Sequence, residues 1–150
     1  MAHLYLEIKM KNYVVGFMRS DDHYLLIRKL KPEWQKGRIN GIGGKIEPGE
    51  GAYKAIAREF EEETGIGSAQ SHWKMTIILQ HNNWKVYFFI YTGDAKIEDA
   101  RQMEAEELVV MTWDMIAKSE NVIPNLKWLI PLSYDEDIDK PITITDRGVN

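Results

Sequence analysis

The chain has 150 residues, 44% of them apolar, a formal charge of −4 and no cysteine. That fits one globular domain with a proper core, and it excludes a disulfide framework, thiol catalysis and cysteine-ligated zinc. The negative balance offers no global field for duplex nucleic acid, and no apolar run approaches the ~18 residues that cross a bilayer.

The opening Met-Ala-His-Leu-Tyr-Leu-Glu has no basic segment followed by an apolar core, so no signal peptide is expected. With no cysteine, the expected location is cytoplasmic. Residues 12–18 read as a strand, Ser20 to His23 as a turn, and residues 24–28 as the returning strand of a hairpin. Lys29 to Arg38 is polar and basic around Trp34. It reads as a surface loop that can lend positive charge to phosphates at the mouth of a site. Asn40 follows, then a loop rich in glycine: Gly41, Gly43, Gly44, Gly49 and Gly51 around Pro48. Such a loop lets backbone come close to a ligand. The Asn40 amide can donate and accept together, which suits a purine edge, although asparagine before glycine is also a common turn.

Residues 51–63 predict a helix. At ~100° per residue, Ala52, Ala55, Ile56 and Phe60 fall on one side. Glu59 and Glu63 fall on that side too, Glu62 lies at its edge, and Glu61 points to solvent. Runs of glutamate are usually solvated, but here two of them occupy the face meant for burial. Burying an unpaired carboxylate costs several kcal/mol, and a divalent cation removes that conflict. Arg58 stands one helical turn before Glu62 and can hold a ligand carboxylate in place. Gly65 suits the left-handed position that ends a helix.

Beyond it, residues 73–80 and 84–92 read as strands joined by a turn at His81-Asn82-Asn83. Residues 93–105 form a polar loop. Leu108 to Trp113 is a further apolar run, preceded by Glu104, Glu106 and Glu107, and Asp114 opens a short helix. Residues 122–132 suit a second helix, with Leu126, Leu129 and Ile130 at helical spacing. Residues 141–145 alternate like a short strand. The four histidines are scattered without metal spacing. No repeat or linker appears, so residues 1–150 are expected to form one domain, with a core at about 4–133 and a C-terminal tail at 134–150.

Gly44, Glu50, Arg58, Glu59, Phe60, Glu62, Glu63, Gly65 and Ile66 match the fixed positions of the Nudix box. The chain thus resembles the Nudix hydrolase superfamily. The stretch Gly37 to Lys45 is similar to the lead into the box in the MutT and oxidised-purine triphosphatase branch. The resemblance implies an α/β fold, a mixed β-sheet between helices in an α/β/α sandwich. It implies a loop-helix-loop that binds Mg²⁺, with Mn²⁺ as a substitute, and a nucleotide substrate whose pyrophosphate bond is hydrolysed. The expected activity is nucleoside triphosphate and water to the monophosphate and pyrophosphate, with oxidised purine nucleotides such as 8-oxo-dGTP as candidates.

On this reading Glu59, Glu62, Glu63 and the extra acid Glu107 hold the metal. Glu59 is the favoured base, with Glu107 as the alternative. Arg58 orients the carboxylates. Asn40 reads the base, and Arg38, Gly43, Gly44 and Lys45 meet the phosphates. Glu50 ties the loop to the helix or reaches the metal through water, and Gly65 closes the helix. The expected assembly is a monomer or homodimer, with neither duplex nucleic acid nor membrane as partner. Two alternatives stay open. One is a Nudix enzyme acting on ADP-ribose, dinucleoside polyphosphates or capped RNA. By resemblance, ADP-ribose enzymes carry a proline about fifteen residues past the box, and none lies between Gly65 and Pro124. The other is a non-catalytic nucleotide sensor, against which the intact box counts.

Overall fold

The computed structural model describes residues 10–148. Residues 4–9 of the expected core, and His3, lie outside them. The long first strand, β1 (Lys11–Ser20), organises the rest. Its apolar residues leave no polar face, because both faces are covered. Val14 and Met18 pack in one core, and Val15 and Phe17 in the other. β2 (His23–Arg28) behaves alike, with Leu25 and Ile27 on the first side and Tyr24 and Leu26 on the second. Strands buried on both faces read as continuous apolar runs.

β1 pairs parallel with β6 (Trp84–Tyr91) from Lys11 to Phe17 and antiparallel with β4 (Ile42–Lys45) from Tyr13 to Gly16. Its end, Met18 to Ser20, turns to pair with β2. β2 continues outward to the two-residue β3 (Ile39–Asn40) and to β7 (Glu107–Thr112). β6 pairs with β5 (Trp73–His81), and β5 with β8 (Ile142–Thr145) in parallel. The helix α1 (Ala52–Thr64) covers one face through Ala55, Ile56 and Phe60. The short α2 (Trp113–Lys118) and α3 (Leu126–Tyr134) cover the other through Ile116, Leu126, Leu129 and Ile130. The expected α/β/α sandwich is therefore the observed one. No helix among the described residues is long and apolar enough to cross a membrane.

Three expectations need correction. Residues 42–45 are a strand, not part of a loop. Glycine hides this, since it has low strand propensity, yet glycine is what the pairing requires. A Cβ on Gly43 would lie 1.8 Å from the Val14 carbonyl oxygen. The helix expected from residue 122 starts at Leu126, because Val122 bridges to Ile39 and Pro124 and Asn125 form its entry. The tail expected at 134–150 is tied in: α3 runs to Tyr134, and the strand expected at 141–145 forms as β8, whose Ile144 packs against the core.

Candidate active site

The first turn of chemistry is at Arg58, midway along α1. Its Nε and Nη2 each donate to Glu50 at 2.8 Å, a two-pronged pair that fits the planar guanidinium. Nη2 also donates to the Lys45 carbonyl at 3.1 Å. Nη1 donates to Glu59 Oε1 at 2.9 Å and to Glu62 Oε2 at 3.3 Å. One side chain therefore ties the loop after β4 to the helix and aligns two of its acids. Glu50 also accepts the Glu47 backbone N–H at 3.1 Å. Its hydrogen bonds with Arg58 hold its carboxyl down at about 2, and the same bonds hold Arg58 firmly protonated.

The next two acids feel the opposite pressure. The Glu59 side chain is only 12% exposed. Its carboxylate lies over Gly44, where a Cβ would come within 2.5 Å of Cδ, so no other residue fits that position unmoved. Burial raises its proton affinity, partly offset by Arg58 and reinforced by Glu62 and Glu104. Glu63 is buried, and its Oε2 has no hydrogen-bond partner. Burial first, then the neighbouring Glu104 and Glu106, push its carboxyl up to about 7. Glu62 is 47% exposed at the rim, and Glu61 faces solvent. Behind the acids the helix is anchored firmly. Phe60 packs edge-on against Trp73 at 4.9 Å, Thr64 donates back to the Phe60 carbonyl, and Gly65 closes the last turn at φ 75°.

A cleft of about 720 Å³ opens on the opposite face of β1 and β4. Val15, Phe88 and Trp84 form its floor, Ile123 and Asn125 one wall, and Lys29, Lys31, Trp34 and Gln35 another. Asn40, Gly43, Gly44 and Lys45 line it as well. Cleft and acids therefore meet at Gly44. Asn40 Oδ1 accepts the Gly41 N–H at 2.7 Å, and its amide nitrogen donates to Gln35 Oε1 at 3.1 Å. That leaves Asn40 one N–H to offer, backed by the Gln35 amide.

Two expected residues stand elsewhere. Arg38 is exposed and outside the cleft lining; the positive charges that line the cleft are Lys11, Lys29, Lys31 and Lys45. Glu107 is 63% exposed and pairs with Arg28 at 3.6 Å, across the β2–β7 register. The neighbouring acids that raise Glu63 are Glu104, Glu106 and Glu59. The sequence named Glu106 among three acids but favoured Glu107, counted Lys29 only as part of a basic loop, and gave no sign of Gln35. The missing signal was the β2–β7 pairing, which sets Arg28 opposite Glu107 and leaves Glu106 at the base of the loop.

A family model described as the NUDIX domain matches residues 10–129. ADP compounds hydrolase NudE of Escherichia coli (strain K12) is 40% identical over 48 residues, 32% of this chain. The matching segment spans about a quarter of that relative, 26% of its length. Among solved structures, MutT from Methanosarcina mazei Go1 superposes with a TM-score of 0.67 at 22% identity, over 89% of this chain and 99% of that one. A chain from a study of MutT from Aliivibrio salmonicida and Vibrio cholerae gives 0.66 at 20% identity, over 83% and 98%. An ADP compounds hydrolase gives 0.57 at 21%, over 74% and 63%. Likeness at these identities speaks for the fold. With the family model covering most of its length, the chain belongs to the NUDIX family.

Proposed function

We propose that this protein is a Mg²⁺-dependent nucleoside triphosphate pyrophosphohydrolase, releasing a nucleoside monophosphate and pyrophosphate. One observation carries the reading: the cleft and the acidic helix share Gly44. A base and sugar in the cleft would deliver their phosphates across the Gly43–Gly44 backbone to the acids. Lys29, Lys31 and Lys45 supply positive charge along that path.

The acids suit a hard divalent cation in donor type. The buried, unpartnered Glu63 Oε2 calls for a cation, and glutamate oxygens are the donors Mg²⁺ prefers. Among the described residues no three acids form a finished ligand set, and Glu59 and Glu62 both face Arg58. Glu59, Glu62 and Glu63 are the residues that would hold the ion. When bound, it neutralises phosphate charge and acidifies a water. In the reaction, the water oxygen bonds to one of the two phosphorus atoms flanking the α–β bridge. The bond from that phosphorus to the bridging oxygen breaks. Glu59, whose proton affinity is raised by burial, accepts the proton. Arg58 keeps Glu59 and Glu62 aligned throughout.

The pH dependence follows from two opposite shifts. Glu63 has a folded value of about 7, above its ordinary 4.5. Its stabilising, protonated form is fully present below 4.5 and is lost as pH rises through about 7. Glu50, held at about 2, contributes stability above 4.5 that is lost as pH falls toward 2. The metal-free protein should thus lose melting temperature on going from mildly acidic to mildly alkaline pH. Mg²⁺ should restore it increasingly over the same range, since a ligand must be deprotonated. Glu63→Gln should flatten both trends. Thermal melts with and without Mg²⁺ check this, and a Mg²⁺ shift independent of pH contradicts it.

The substrate reading is a purine deoxynucleoside triphosphate, including oxidised forms such as 8-oxo-dGTP. Asn40 and Gln35 present N–H groups to the cleft, which suit the acceptors on a guanine edge. Asn40→Ala should cost the preferred nucleotide ~1–3 kcal/mol in kcat/KM and flatten the ranking across dGTP, 8-oxo-dGTP, dATP, dCTP and dTTP. An equal fall for every nucleotide would assign Asn40 to the turn alone. ADP-ribose belongs in the same panel, because the NudE likeness favours ADP compounds as the second reading.

A further inference from the structure

Glu106 has surroundings unlike those of a surface acid. Its side chain is 11% exposed. Oε1 accepts the Lys29 ammonium at 3.1 Å, and Oε2 accepts the Leu30 backbone N–H at 2.6 Å. One carboxylate thus grips two successive residues, one by its side chain and one by its backbone. Those residues open the excursion between β2 and β3. The excursion closes on itself just beyond. Gly37 N–H donates to the Lys29 carbonyl, and Lys29 N–H to the Arg38 carbonyl, both at 2.8 Å. Past this stem, the loop carries Lys31, Trp34 and Gln35 into the wall of the cleft, with Trp34 itself 67% exposed. Nothing in the core holds Trp34, and Gln35 is held at its tip by the Asn40 amide at 3.1 Å, so the stem sets where the rest of the loop stands.

We infer that Glu106 is a positioning residue that clamps the root of the 29–38 loop and so builds one wall of the cleft, and that it is neither a metal ligand nor the base. Its effect on substrate rests on the nucleotide reading above; the clamp itself does not. Both oxygens are already engaged by N–H donors of the loop, while Glu63 Oε2 is not. A charged acceptor in a low-dielectric setting holds such donors strongly.

The test has two arms. In the first, the intact nucleotide-free protein is treated with trypsin, and cuts after Lys29, Lys36 and Arg38 are timed by mass spectrometry. Glu106→Ala should be cut at least about fivefold faster there, because a loosened loop opens more often. Glu106→Gln keeps an acceptor for the Leu30 N–H and should fall between. Glu104→Gln should be cut at the wild-type rate. Circular dichroism checks that each variant is folded; if Glu106→Ala is not, Glu106→Gln carries the comparison. In the second arm, dGTP hydrolysis by Glu106→Gln in Mg²⁺ should show KM raised roughly tenfold and kcat lowered by less than about threefold. Wild-type nicking in the folded variants would overturn the clamp. So would a kcat loss of about a hundredfold at unchanged KM, the mark of a group acting at the reaction itself. If wild type turns over none of the five triphosphates named above, the triphosphate reading falls, and the nicking rates alone decide the clamp.

Discussion

Glu62→Gln is expected to lower turnover at least roughly a hundredfold, the scale on which a positioned electrostatic group contributes. The amide copies the shape of the carboxylate, and Glu62 is half-exposed at the rim. Folding should therefore be untouched, and the thermal melt should stay near wild type. Glu61→Gln removes the same charge one residue earlier, from the solvent face of α1. It should stay within about twofold, as surface substitutions do. The contrast separates a cation site from general acidity. Equal losses in both variants would mean that only the net charge of the helix matters. A loss in Glu61→Gln alone would break the assignment of faces.

Arg58→Ala should be the most disruptive change for the fold around the site. It strands Glu50, which is 8% exposed and ionised, and frees Glu59 and Glu62. Breaking a largely buried pair from one side costs ~3 kcal/mol, which for a domain of this size lowers Tm by roughly 10 °C. Arg58→Lys should recover part of that stability and little activity. An ammonium cannot make the two-pronged contact with Glu50 and reach Glu59 as well. Urea denaturation and kcat on both variants check the pair of effects. A stability loss under about 1 kcal/mol in Arg58→Ala would class it as an ordinary surface pair.

The sequence made some parts of this site readable and kept others hidden, for physical reasons. The helical repeat put Ala55, Ile56, Phe60 and Glu63 on one face, and that face is buried. Periodicity reports burial directly, so the conflict between a buried face and its charges was visible without coordinates. Gly65 was readable because few residues accept a positive φ. β4 was not readable. Its glycines answer to a neighbouring strand, and their local preference is for a turn. Among the three acids at the entry to β7, nothing local separates Glu106 from Glu107. Their difference comes from the β2–β7 register, a non-local pairing. Arg38 failed for a similar reason: a basic loop has a net charge, but which of its side chains face the cleft depends on its stem.

The most direct test of the account is a product assay on the wild-type protein. dGTP is incubated with the enzyme in Mg²⁺, and in parallel after dialysis with excess EDTA, and the products are resolved by anion-exchange chromatography. With Mg²⁺, dGMP and pyrophosphate are expected in equal amounts, and with EDTA neither. Release of dGDP and orthophosphate, or undiminished turnover in EDTA, would contradict this.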